Sequence, residues 1–182
     1  MIEIRPVSMA HEMYNDGLYF YEKAKEETNF GDVQRCYRFA IVSFASSFEA
    51  FINAQLKSKL EVNVTTIPNG ANILNFLING GRPPEEIGSI HKKIKILEQL
   101  YNVNNQLINS SVFKKFYNEI IVLRNAIVHY SSDKFTSVYQ NQINIAVSDG
   151  AKLLTDTIRH FVNILPIKFP PYYSNQMYKP IE

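Results

Sequence analysis

The chain has 182 residues, 46% hydrophobic and 20% charged, enough to bury one core without disulfides or metals. A net charge of +2 is too small for nucleic-acid binding by bulk electrostatics, so an RNA or DNA partner would have to be met by a local patch. The single cysteine, Cys36, excludes an internal disulfide and a Cys-based zinc site.

Apolar residues recur at helical spacing nearly throughout. Residues 8–28 form the first predicted helix, with Ala10, Met13, Gly17, Phe20 and Ala24 on one side. After Asn29-Phe30-Gly31, Asp32 is the expected N-cap of a second helix over 32–60. Its stripe of Tyr37, Ile41, Phe44, Phe48, Ile52 and Leu56 is the longest in the chain. A short helix over 71–79 should end at Gly80-Gly81. Next comes a helix carrying Ile87, Ile90, Ile94, Leu97 and Tyr101, with Lys92, Lys93 and Lys95 read as a solvated face. A polar turn at 102–109 leads to a helix over 110–130, with Phe113, Phe116, Ile120, Leu123 and Ile127. The last helix, 137–165, contains Gly150, where a neighbour could approach closely.

The expected fold is all-α, an antiparallel up-and-down bundle of four to five long helices. Residues 1–165 read as one domain and 166–182 as an extended Pro- and Tyr-rich tail, packed on the bundle or trailing from it. With no signal-like leader and no stretch approaching a membrane span, a cytoplasmic, membrane-free protein is expected. His11 and His91 sit among charged neighbours and should be solvated. No histidine has a Glu three residues before it, which argues against a carboxylate-bridged metal site. Asp156 and His160 are four apart, a spacing met more often in surface hydrogen bonds than in metal pairs.

The segment 123–134, LRNAIVHYSSDK, carries chemistry that a core helix does not need. At about 100° per residue, Arg124 lies within about 40° of the apolar centre, while Asn125 and His129 fall on the far side. A guanidinium there must snorkel outward or find a partner. One candidate partner is Glu49, on a polar strip of the second helix with Ser46 and Asn53. Arg124 and His129 diverge by about 140° on an ideal helix. They would meet more easily if the helix unwound at His129 or if a second chain contributed.

Arg124-Asn125-Ala126-Ile127-Val128-His129 resembles the Arg–four-to-six–His motif of HEPN domains (higher eukaryotes and prokaryotes nucleotide-binding), in which a polar residue commonly follows the Arg. Residues 44–55, FASSFEAFINAQ, resemble an early helix of several HEPN families. The resemblance implies a metal-independent endoribonuclease with no cofactor, acting in toxin–antitoxin, defence or RNA-processing roles. His129 would be general acid or base, Arg124 would stabilise the phosphoryl oxygens, and Asn125 would orient the imidazole or the phosphate. Glu49, Ser46, Asn53 and Tyr130 would support them. It further implies a homodimer with a composite cleft, an RNA substrate and a possible antitoxin or regulatory protein. Some HEPN toxins carry Tyr two residues after the His; here Ser131 stands there and Tyr130 is adjacent to His129. The alternative is a non-catalytic HEPN-like bundle that binds a nucleotide, RNA or protein.

Overall fold

The computed structural model describes residues 8–129 and 142–180. Among these, all regular structure is helical, and the helices pack as a bundle. Helix α1 (Met9–Glu26) starts at Ser8, whose side chain accepts from the His11 N–H. Helix α2 (Phe30–Val62) starts two residues earlier than expected. Asn29, not Asp32, is its N-cap, its Oδ1 accepting from the Gly31 and Asp32 N–H groups.

Short α3 (Gly70–Asn79) ends at Gly80 and Gly81, both at positive φ, a conformation glycine adopts without strain. Helix α4 (Ile90–Tyr101) follows a 3₁₀ turn at Glu85–Ile87, so the apolar run from Ile87 is split between two elements. Helix α5 (Ser111–Phe116) passes through a π-helical turn, Tyr117–Ile121, into α6 (Val122–Val128) without leaving helical dihedrals. Helix α7 covers Gln142–Ile164; residues 137–141 of the expected last helix lie outside the described residues.

Helix α2 is the hub, packing against α1, α3, α4, α6 and α7. Its Phe48 is fully buried against Phe113, Phe116 and Phe161, with ring centroids 4.9–6.0 Å apart. Each such side chain contributes about 1.5–3 kcal/mol by burial. One turn earlier, Phe44 is wedged between two glycines. A Cβ on Gly17 of α1 would lie 2.5 Å from one ring edge, and a Cβ on Gly150 of α7 would lie 2.7 Å from the other. The close approach expected at Gly150 is thus made by the Phe44 ring.

Contrary to the sequence expectation, α2 is long and apolar enough to cross a bilayer by length and composition, the one such helix among the described residues. Its most apolar window is 56% buried inside the bundle, the pattern of a core helix.

The C-terminal segment is built into this core. Tyr173, in a 3₁₀ turn at Pro171–Ser174, is fully buried, its hydroxyl 3.0 Å from Ser47 Oγ. Thr155 Oγ1 donates to the Tyr173 carbonyl at 2.7 Å, and the Tyr14 hydroxyl donates to the Asn175 carbonyl. Asn15 and the Lys179 backbone exchange two hydrogen bonds. Burial pushes the Tyr173 phenol well above its ordinary pKa.

Candidate functional site

A cleft of about 430 Å³ opens where α2, the start of α4 and α6 meet. Helix α2 lends Ala45 and Glu49; the α4 end lends Gly88, Ser89 and Ile90. Tyr117 and Ile121 come from the π turn, and Arg124, Asn125 and His129 complete the wall. The sequence-predicted trio therefore shares one cleft within one chain.

Two local features bring it together. The π turn accommodates one residue more than an α turn, so side chains beyond it are displaced around the axis. Ala126 takes a buried position, Ile127 is only half-buried, and Arg124 and Asn125 are half-buried side by side. The helix then ends: His129 leaves helical geometry at φ −107° and ψ 50°, its N–H still donating to the Asn125 carbonyl at 2.9 Å. The imidazole is exposed at the cleft mouth. The π turn precedes all three residues and turns them as a set, whereas the helix end re-aims His129 relative to Arg124, and all three line one cleft of one chain.

The candidate partner of Arg124 is corrected. Its Nη1 donates to Asn125 Oδ1 at 3.1 Å, while Glu49 Oε1 accepts from Lys93 Nζ at 2.6 Å. Lys93 is not on a solvated face: its side chain is 5% exposed, that of Glu49 36%. Lys93 lies only about 60° from the Ile90/Ile94/Leu97 stripe, so the α4 period carried the signal. Ser46 and Asn53 are half-buried on α2 and do not line the cleft; Asn53 Oδ1 is buried without a hydrogen-bond partner. Tyr130 lies outside the described residues.

The cleft suits an anion. Ser89 caps α4, its Oγ accepting from the Lys92 N–H, so the positive end of the helix dipole faces the same space as Arg124. Among the described residues Arg124 makes no ion pair with a protein carboxylate, and its Nη1 donates to Asn125 Oδ1; a guanidinium in such a cleft can grip a phosphate with two parallel donors.

His91 and His11 also depart from the expected solvated state. The His91 ring lies edge-on to Tyr117 at 4.1 Å and to Phe113 at 5.7 Å. Burial, with Lys95 acting in the same direction, holds its pKa below the usual histidine value. His91 thus packs behind Tyr117, a cleft residue. His11 stacks on Tyr172 at 4.5 Å. His160 Nε2 lies 3.4 Å from the Gln106 carbonyl, and no cluster of three metal-ligating side chains occurs among the described residues.

A second groove, of about 570 Å³, runs between the 115–126 stretch and α7, with Asn125 lining both it and the cleft. Val122 and Ile145 are exposed along it.

Comparison with family models, with curated proteins and with solved structures gives no match for this chain. The HEPN resemblance therefore stands on residues 44–55 and 124–129.

Proposed function

We propose that the chain is a metal-independent RNA endonuclease of HEPN type, acting in the cytoplasm. The observation that carries this reading is the convergence of Arg124, Asn125 and His129 on one cleft beside the α4 N-terminus. A phosphodiester seated there meets the Arg124 guanidinium and the helix dipole, which stabilise charge developing on its non-bridging oxygens. Asn125 fixes the guanidinium through its Oδ1. His129 exchanges a proton with the 2′-hydroxyl or the leaving 5′-oxygen, a contribution of about 10²–10⁴-fold. The products are a 2′,3′-cyclic phosphate and a 5′-hydroxyl end.

A homodimer belongs to this proposal. The groove lined by exposed Val122 and Ile145 adjoins the cleft through Asn125, and a second copy seated on it would set two clefts side by side for one RNA. An antitoxin or regulatory protein would act by covering the same face.

The test is incubation with varied RNAs in EDTA, comparing wild type with His129→Ala and Arg124→Ala. Cleavage by wild type alone is expected. Equal cleavage by all three proteins, or by none, would remove the nuclease reading, and activity that EDTA abolishes would point to a metal. Retention of RNA or a nucleotide in the cleft without any cleavage would favour a non-catalytic binding bundle.

A further inference from the structure

We propose that Glu49 is the general base of this cleft, taking the proton of the attacking ribose 2′-hydroxyl while His129 protonates the departing oxygen. The inference rests on the RNA-cleaving reading above. Transesterification needs one group that accepts a proton and another that delivers one. Among the described residues lining the cleft, Glu49 and His129 supply the carboxylate and the imidazole, the two side-chain types there that serve as general acids and bases.

The geometry around Glu49 fits that role. It enters from α2, whereas Arg124, Asn125 and His129 enter from α6 and its end. Its carboxylate pairs with Lys93 from α4, and Arg124 and His129 line the same cleft. Lys93 is sealed on the protein side while Glu49 keeps seven times its relative exposure, toward the cleft. Burying an ammonium is costly, and a pair serving only to pin α2 to α4 could be replaced by apolar contact. What the pair supplies is a carboxylate fixed by one oxygen, Oε1, with Oε2 making no hydrogen bond among the described residues. A carboxylate repels a phosphate, so its use beside an anion site is to accept from a donor. The 2′-hydroxyl is the donor adjacent to the scissile phosphate. Among the described residues Arg124 does not pair with this carboxylate; its Nη1 donates to Asn125 Oδ1.

The step balances without a co-reactant. The 2′-oxygen forms a bond to phosphorus as its proton passes to Glu49. The phosphorus–5′-oxygen bond breaks as His129, initially protonated, gives its proton to that oxygen. Base, acid and charge-stabilising arginine then all belong to one chain.

The experiment compares wild type, Glu49→Gln and His129→Ala, in EDTA, on two substrates. One is an RNA oligonucleotide with a mapped cleavage site. The other carries sulfur in place of the bridging 5′-oxygen at that site, a leaving group that needs no proton. Glu49→Gln should lose about 100-fold or more on both substrates, whereas His129→Ala should lose as much on RNA and recover to within about tenfold on the sulfur substrate. Activity of Glu49→Gln within about threefold of wild type on RNA would overturn the proposal, as would sulfur rescue of Glu49→Gln instead of His129→Ala. A wild type inactive on both substrates removes the nuclease reading itself, a distinct outcome. Glutamine keeps a carbonyl oxygen for Lys93. Should that variant melt early, Glu49→Gln with Lys93→Met leaves no unpaired buried charge, and its activity on the folded protein decides the question in the same way.

Discussion

Replacing Gly17 with Ala tests the packing that sets α1, α2 and α7 around the site. On an exposed helix this change stabilises by about 1 kcal/mol, because Ala surpasses Gly in helix propensity. Here the new methyl would lie 2.5 Å from Phe44 Cε1 and 2.6 Å from Cδ1, where ordinary contact begins near 3.4 Å. The ring must move by about 1 Å, and it cannot retreat, since its opposite edge already rests on Gly150. Overpacking of this kind costs about 1–3 kcal/mol. After the propensity gain, a net loss of up to about 2 kcal/mol remains, or up to about 8 °C in Tm for a chain of this size. Urea denaturation followed by circular dichroism reads it directly. In a Phe44→Leu background the clash is gone, so Gly17→Ala should become neutral or stabilising, a coupling of about 1–3 kcal/mol. A Gly17→Ala protein more stable than wild type by the same amount in both backgrounds would refute the wedge.

Glu98 is buried and its Oε1 accepts from the Leu107 and Ile108 N–H groups at 2.8 and 3.1 Å. Glu98→Ala should cost about 2–4 kcal/mol in urea denaturation, with Glu98→Gln clearly milder. Because the His91 pKa is depressed by burial and Lys95, protonation favours the unfolded chain. Its contribution is full above the usual histidine value of about 6.5 and is lost as pH falls through the depressed folded value. His91→Phe should therefore show a smaller drop in Tm between pH 7.5 and 5, to about the extent that this one group contributes. Deleting residues 166–182 removes buried Tyr173 and the backbone partners of Tyr14, Asn15 and Thr155. A loss of about 3–5 kcal/mol or more should abolish a cooperative melt.

The helices were legible because long apolar stripes at period 3.6 leave little choice, and Gly80-Gly81 marked the end of α3 directly. The π turn was not, since Ile120, Ile121 and Leu123 satisfy the core in either register. The extra residue precedes Arg124, Asn125 and His129 and turns them as a set, while the helix end at His129 alters the angle between Arg124 and His129, so the motif could be read but not its geometry. Glu49 was legible as a polar residue beside an aromatic stripe, yet its partner depended on how α4 lies across α2. Lys93 looked solvated because two other lysines flank it. Tyr173 had no period to announce it, and its burial comes from docking among Tyr14, Ser47 and Thr155.

The central claim is 2′-hydroxyl-dependent, metal-free cleavage in the Arg124/His129 cleft. The most direct measurement is end-group analysis of RNA cut in EDTA, repeated with a single 2′-deoxy substitution at the mapped site. Wild type should leave 2′,3′-cyclic phosphate and 5′-hydroxyl ends, His129→Ala none, and the substituted nucleotide should block cutting. Cutting at the 2′-deoxy position, or products bearing 5′-phosphate, would contradict it.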